Sequence, residues 1–369
     1  MKFICDQQIL SKSLGTVSKA VTSRTTIPIL KGILIKASKD GILKLSASDL
    51  DISIEKTIFG VNIIEEGSVV VLAKLFTDII RKLPAEEILI EQIEENNIII
   101  KTSSSEFTIS AISPEEFPEV GEVEEEEKLF FEKELFKEMI KKTAFAASVD
   151  EAKGIITGIL IELEPNRINM VSLDGFRMAV VREETKNEKN KKIIISAKIL
   201  NDINKIIYDV EGEEDILLAL DKKKAVLIIE NIKITLRLME GEFVRYRDIL
   251  PKDNKCRIKV NKNVLSESME RAALLSKEGK NNLIKFKITD YLLTITSRSE
   301  EGNVREEVPA QKWGVDMEIG FNAKYIIDVL KAIDEEDIII EMMSSVKPCV
   351  MKPIENDKFE YIVLPVKIS

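Results

Sequence analysis

The chain has 369 residues, 44% apolar and 32% charged, with a formal net charge of −10, which suits a globular protein with room for two or three cores. It contains no histidine, so a Ser-His-Asp or Cys-His nucleophile is excluded, along with the commonest transition-metal ligand. No G-x-x-x-x-G-K-[ST] or G-x-G-x-x-G loop is present, and no apolar run approaches the roughly 20 residues of a membrane helix. Cys5, Cys256 and Cys349 are isolated and odd in number, and MKFICDQQIL lacks a secretory apolar segment. A cytoplasmic protein that uses no metal or cofactor is the expectation.

The first third opens with KFICDQQILSKSLGTVSKAV, a short strand followed by a helix with Leu10, Leu14, Val17 and Val21 at helical spacing. Residues 32–49, GILIKASKDGILKLSASD, alternate as a hairpin. The helix AKLFTDIIRKL begins at 73, and EILIEQIEENNIIIKT supplies further strands. Residues 115–127, EEFPEVGEVEEEE, read as an extended, solvated connector. The second third repeats this order. LFFEKELFKEMIKKTAFAAS carries Phe136, Met139, Ile140 and Thr143 on one face, and GILIELEPNRINMVSLD repeats GILI at an offset of 126. AKILNDINKII follows at 197, then DILLALDKKKAVLIIEN, and a second boundary falls near YRDILPKDNKCR. The last third offers RIKVNKNVLSESMERAALLS, NLIKFKITDYLLTITSR, AKYIIDVLKAI at 323 and DIIIEMMSSVKPCVM.

Ordered recurrence at about 125 residues is too long for a solenoid and predicts whole domains in triplicate. The fold class is therefore α+β, with domains at 1–127, 128–251 and 252–369, each with two helices packed on antiparallel sheet.

Acidic totals argue against a nucleic-acid partner, but the charge is unevenly placed. Between Asp6 and Asp40 there is no acid, while Lys12, Lys19, Arg24, Lys31, Lys36 and Lys39 occur. Lys12 and Lys19, seven apart, are expected on one helix face. In the second-helix repeats Phe76, Ile79 and Leu83, then Leu200, Ile203 and Ile207, then Ile326, Val329 and Ile333 form a core stripe. The basic positions, Lys74 and Arg81, Lys198 and Lys205, Lys324 and Lys331, lie off that stripe. Such repeated basic faces suit a sequence-blind, salt-sensitive contact with a phosphate backbone. A solvated lysine face, with Lys74 and Asp78 as a local pair, is the plainer alternative.

MKF at the start, SRTTIPIL at 23–30, RKLP at 81–84 and SLDGFRMAV at 172–180 together resemble the bacterial sliding clamps, the beta subunits of DNA polymerase III. EGEFVRYRDILP at 240–251, RAALLSKE at 271–278, MEIGFNAKYIIDVLKAI at 317–333 and the terminal YIVLPVKI extend the likeness over the whole chain. The resemblance implies three domains of DNA-clamp fold per chain and a head-to-tail homodimeric ring, its channel lined by helices and its outer wall made of sheets. It implies a non-enzymatic processivity factor of DNA replication that binds double-stranded DNA without sequence preference. Further implied partners are the replicative DNA polymerase, the clamp loader and other clamp-binding-motif proteins, with no membrane. Its DNA contacts would match Arg24, Lys74, Arg81, Lys198 and Lys205.

The family's peptide pocket maps onto Lys153, Ile156, Leu173, Gly175, Phe176, Arg177, Met178, Val244 and Ile249. Its remaining positions match Asn322, Tyr325, Val346, Pro348, Ile362, Leu364, Pro365 and Val366. Leu173, Phe176 and Val244 depart from the common pattern toward a greasier cleft, and Ser369 extends past the usual apolar end. Phe107 and Ile109 match one side of the dimer joint, and Leu274 and Leu275 the other. Adjacent leucines on a helix cannot share one narrow face, so one of them is expected to point outward. Two other readings stay open: a magnesium-dependent carboxylate enzyme acting on nucleic acid, and a protein-only scaffold.

Overall fold

The structure is a computed structural model that describes residues 1–369 except 23–24, 95, 119–126, 187–189, 277–281 and 369. In the first third, β1 (Lys2–Asp6) runs into α1 (Gln7–Val17). Then come β2 (Gly32–Ser38), β3 (Ile42–Ser48), β4 (Ile52–Ile58), β5 (Asn62–Glu65) and β6 (Gly67–Leu72). Helix α2 (Ala73–Lys82) precedes β7 (Glu87–Glu94), β8 (Asn97–Lys101) and β9 (Glu106–Ile112). The second third has β10 (Glu127–Phe131), α3 (Lys133–Ala144), β11 (Gly158–Glu164), β12 (Arg167–Leu173), β13 (Arg177–Glu184) and β14 (Lys191–Ser196). It continues with α4 (Ala197–Asp209), β15 (Ile216–Leu220), β16 (Lys224–Ile229) and β17 (Ile232–Arg237). The last third has β18 (Cys256–Asn261), α5 (Lys262–Ser276), β19 (Leu283–Thr289), β20 (Leu292–Ser299), β21 (Gly302–Gly314) and β22 (Met317–Asn322). It closes with α6 (Ala323–Ala332), β23 (Asp337–Met342), β24 (Cys349–Lys352) and β25 (Phe359–Val363). The predicted order of strand, helix, strands, helix, strands holds in all three.

By contact the chain divides into two compact units, 1–133 with 205–238, and 134–204 with 239–369. The first holds a 13-stranded sheet, β10-β15-β16-β17-β4-β3-β2-β6-β9-β8-β7-β1-β5. The second holds a 12-stranded sheet, β14-β11-β12-β13-β25-β24-β23-β18-β21-β20-β19-β22. All strand pairings among the described residues are antiparallel, and the last strand of the second third and of the final third each pair with the third before. Thus β17 lies on β4 with Leu236 opposite Ile52, and β25 lies on β13 with Val363 opposite Arg177. Beyond each of these strands the chain returns to its own third. Met239 N donates to Ile194 O at 2.8 Å, and Val366 N to Gly320 O at 2.8 Å.

Leu10, Leu14 and Val17 are buried as their spacing predicts, as are Phe136, Met139, Ile140 and Thr143. Asp6 caps α1 by accepting from the backbone N–H groups of Gln8 and Ile9. Three expectations are corrected. α1 ends at Val17 and tightens into a 3₁₀ turn, Ser18–Ala20, so Lys19 leaves the helix face of Lys12 and Val21 leaves the buried face of Leu14. On α2 the buried stripe is Ala73, Phe76, Ile80 and Leu83, with Ile79 only half-buried, because a core-facing stripe is wider than one row. The expected solvated connector is anchored at its start: Pro114–Glu116 form a 3₁₀ turn and Phe117 packs on Ile29, Leu30 and Val70. Residues 119–126 of that connector lie outside the described residues.

The repeated GILI has a steric origin. Gly32 has an ordinary φ of −103°, but a Cβ there would stand 2.3 Å from Val70 Cγ1. At Gly158 a Cβ would meet Ile194 Cγ2 and Met239 Sδ, each at 2.6 Å. The third copy inverts the pair. Leu283 takes the place of the glycine, and Gly320 takes the place of Val70 and Ile194, with its would-be Cβ 3.1 Å from Leu283 Cδ1. Small faces large in every copy, as a close-packed core requires. Gly32→Ala is therefore expected to lower the urea midpoint, at a cost of about 1–3 kcal/mol. Adding Val70→Ala should return part of that loss, and additivity of the two changes would refute the contact as its cause.

Candidate functional site

The second unit gathers most residues of the expected cleft. Leu173, Met178 and Ile362 belong to one buried cluster with Leu160, Val171, Ile194, Tyr246 and Val350, and Ile156 packs against it. They arrive there by register. Leu173 ends β12 opposite Met178 of β13, and Met178 lies opposite Ile362 of β25. Above this floor the turn Asp174–Phe176 is fixed by an Asx arrangement. Asp174 Oδ1 accepts from the backbone N–H groups of Phe176 and Arg177 at 2.8 and 2.9 Å, while Gly175 adopts a φ of +95°. Leu364 N donates to Phe176 O at 2.8 Å, which lays the residues after β25 beside the turn.

Phe176 is 53% exposed and stacks on Tyr325, with ring centroids 6.1 Å apart. Lys153 Nζ lies 5.6 Å above the Phe176 ring and donates to Asp174 O at 3.1 Å. Arg177 is neutralised by Asp174 at 3.1 Å and by Asp328 at 2.5 Å, and its guanidinium lies 4.8 Å over the Tyr325 ring. Burial raises the Tyr325 phenol, and Asp174 adds to that. Asn322 caps α6 by accepting from Lys324 N at 2.9 Å. Val244, Ile249, Val346 and Leu364 leave apolar surface exposed, with Pro348, Pro365 and Val366 half-buried. The arrangement is an apolar surface edged by a lysine, with a guanidinium pinned inside it.

Sequence reading missed Asp174, Asp328 and Phe145, whose ring lies 5.4 Å from the Arg177 guanidinium. Asp328 is the aspartate of the repeated second helix, so its recurrence was visible although its partner was not. The repeat does not fix that partner, since in α2 the equivalent Asp78 pairs with Arg81 at 2.6 Å.

Behind the cleft sits Glu162 of β11, whose side chain is 1% exposed. Lys192 Nζ, Tyr246 Oη and Arg247 Nη2 all donate to its carboxylate at 2.7 Å. Burial by itself would raise this carboxyl, but the three donors outweigh it and hold the pKa down at about 2. The network fixes the 3₁₀ turn Tyr246–Asp248 between Val244 and Ile249. Since the folded value lies below the ordinary 4.5, the stabilisation is present above pH 4.5 and lost as pH falls toward 2. Urea unfolding between pH 7 and pH 3 should show about 2 kcal/mol of that loss in the parent. Glu162→Gln should be weaker at neutral pH and flatter across the acid window, and an unchanged slope would remove Glu162 from the account.

The expected nucleic-acid residues are placed as follows. Lys74, Lys198 and Lys205 are exposed on α2 and α4, and Arg24 lies outside the described residues. Arg81 is exposed but engaged by Asp78, so the expected local pair forms with Arg81 instead of Lys74. Lys12 pairs with Glu211 at 2.8 Å and Lys19 with Asp209 at 3.4 Å. Of the dimer candidates, Leu274 is 67% exposed while Leu275 is half-buried, so one leucine does face outward. Phe107 is 40% exposed, and Ile109 is buried within this chain. On their outer sides, residues 106–110 of β9 and 302–309 of β21 meet no strand among the described residues. No three Asp, Glu or Cys side chains gather to hold a metal among the described residues, and none of the described helices is long and apolar enough to cross a membrane. The three cysteines are free and buried.

Residues 1–121 match the family described as DNA polymerase III beta subunit, N-terminal domain; residues 131–244 match its central domain and 247–367 its C-terminal domain. The chain is 33% identical over 377 residues to the beta sliding clamp of Staphylococcus epidermidis, covering all of this chain and 99% of that one. Among solved structures, the DNA polymerase sliding clamp of Bacillus subtilis superposes with a TM-score of 0.96 at 30% identity, covering both chains fully. A putative DNA polymerase III beta subunit from Eubacterium rectale gives 0.94 at 36% identity over 99% of each chain.

Proposed function

The chain belongs to the DNA polymerase III beta subunit family, the beta sliding clamps of replication, and on that premise we propose that two copies close head to tail around duplex DNA. A processivity factor of this kind catalyses nothing. It holds DNA by topology and passes the hold to a replicative polymerase docked on the Phe176–Tyr325 cleft. A clamp loader and other proteins bearing a short apolar motif would use the same cleft, which suits an extended peptide with side-chain anchors. The chain acts where the replicated DNA is, in the cytoplasm. Its domains are those of the repeat, 1–127, 128–251 and 252–369.

The observation that carries the ring is the unfinished strand order. In the sequence repeat β4, β13 and β21 are equivalent, as are β9, β17 and β25. β17 lies on β4 and β25 lies on β13, each with the preceding third. Only β21 lacks such a neighbour, and only β9 lacks a preceding third. A second copy supplies both at once, in the closed symmetry usual for homodimers. The register follows. Val70, Ile194 and Gly320 each stand three residues before the Ala of the second helix, and Val70 pairs with Ile112. Ile112 is then the equivalent of Met239 and Val366. Counting back, Phe107 falls opposite Val304 of the partner subunit and Ile109 opposite the partner's Gly302. On this register a Phe107→Cys, Val304→Cys chain should form an interchain disulfide on oxidation. Phe107→Cys with Arg305→Cys should not, because a one-residue slip turns the side chain to the other face. The reverse pattern would sink the proposed pairing.

Leu274→Ala with Leu275→Ala should shift the mass in solution from dimer to monomer while leaving the circular dichroism native. A dimer of unchanged mass would take that pair out of the interface.

Within the ring Lys74, Lys198 and Lys205 would meet phosphates, with Arg24 and Arg81. Contacts of this kind neutralise charge without reading bases, and they weaken with salt. The decisive measurement loads the protein on nicked circular DNA with its clamp loader, then linearises the circle at constant salt. Release on linearisation is expected; retention on the linear product would rule the topological hold out. The labelled circle should also survive prolonged incubation with magnesium, whereas its cleavage would favour a carboxylate enzyme.

A further inference from the structure

The construction behind the Phe176–Tyr325 cleft occurs a second time, entirely within the first unit. Asp49 Oδ1 accepts from the backbone N–H groups of Asp51 and Ile52 at 3.1 and 2.9 Å, repeating the Asx turn of Asp174. Arg237 N donates to Asp51 O at 2.9 Å, as Leu364 N does to Phe176 O at 2.8 Å. The 3₁₀ turn Pro28–Lys31 leads into Gly32 and sets Leu30 on a floor with Val70 and Phe117. In the second unit the turn before Gly158 likewise sets Ile156 on the floor that contains Ile194 and Tyr246.

Two differences define what this copy would hold. First, Leu50 stands where Gly175 does. It keeps a φ of +78°, a region costly for any side chain, and is 59% exposed; Ile27 beside the 3₁₀ turn is 44% exposed. Second, the hairpin that brings Val346 and Pro348 to the first cleft is replaced by Asp221–Lys224. Leu238 N donates to Lys223 O at 2.8 Å, which seats that hairpin against the turn. Lys222, Lys224 and Arg237 are exposed around it. Asp49 and Asp221 are tied to backbone N–H groups, which leaves Asp51 as the exposed acid among these cations; an exposed leucine in that surround complements an acidic segment with an apolar anchor.

We propose that the Leu50 turn is a second peptide-docking site, whose occupant is a short acidic peptide carrying a leucine or similar anchor. The proposal rests on reading the Phe176 cleft as a peptide site, and it assigns the two sites different partners: greasy motifs to the first and acidic ones to the second.

Anisotropy with the full chain and a fluorescein-labelled peptide of Glu and Asp around two leucines tests it. The informative variant is Leu50→Gly, because glycine suits the positive φ; its urea midpoint should equal or exceed the parent's, so lost binding cannot be lost folding. Leu50→Gly and Lys222→Glu should each weaken the acidic peptide by about tenfold or more, while Phe176→Ala leaves it within about twofold. Affinity unchanged in Leu50→Gly overturns the proposal. So does equal binding of a peptide with serines for leucines, which would mean charge alone. Displacement by a short DNA duplex would also overturn it, as a phosphate patch. Should Phe176→Ala abolish binding while Leu50→Gly does not, only the first cleft takes peptides. The first cleft is tested separately with an uncharged apolar peptide: binding that Phe176→Ala leaves unchanged would sink that reading while the acidic-peptide result still stands.

Discussion

The molecule depends on one repeated act of strand pairing, in which the last strand of each third completes the sheet of the third before it. The ladders β4–β17 and β13–β25 are ordinary antiparallel pairings, but they decide what counts as a compact body. Because β17 leaves its own third, the contact units cut through the middle of the second repeat instead of between repeats. A third built this way cannot satisfy all its own strand edges. Among the described residues the first keeps an open edge along β9 and the last along β21. Exposed edges are ordinarily an aggregation hazard, and a closed assembly is one way to remove them.

The same joint makes the surface proposed for docking. Where the incoming strand passes the turn between the two strands it extends, a backbone bond ties it to the turn, Leu364 N to Phe176 O in one joint and Arg237 N to Asp51 O in the other. The turn is locked by an aspartate, so its central side chains are presented in a fixed direction. What they present is free to diverge. Phe176 stacked on Tyr325 makes one joint aromatic, while Leu50 with the lysine hairpin makes the other small and cationic. Rigidity comes from below: the buried Glu162 carboxylate gathers Lys192, Tyr246 and Arg247 under the rim. A charge so deeply placed is tolerated only because all three partners are present.

Charge follows a similar division. The chain is acidic overall, yet several of its lysines are already matched: Lys12 and Lys19 meet acids that follow or end α4, and Lys142 meets Asp334 at 2.8 Å. Lys74 and Lys198 carry no ion pair among the described residues and remain exposed. Counting lysines in a sequence therefore overstates the positive surface, because pairing across a joint is invisible in one dimension.

By itself the sequence determined a great deal: the triplication, the α+β class, the hairpins, the two helices of each repeat and most of the residues those helices bury. These follow from periodicity and from glycine or proline punctuation, which act over a few residues and leave a local trace. The resemblance added the list of cleft residues, from Lys153 to Val366. Tertiary structure alone decided the rest. It placed Arg177 between Asp174 and Asp328, 151 residues from the latter, and it sent Asp78 to Arg81 where the repeat offered Lys74 equally. It turned Phe117 inward from a stretch whose glutamates promised only solvent. It also explained why the last repeat lacks its glycine, since Gly320 supplies across the strand the space that Gly32 supplies in the first. Such choices depend on which surfaces meet after the strands have been exchanged between thirds, and no local pattern of residues records that exchange.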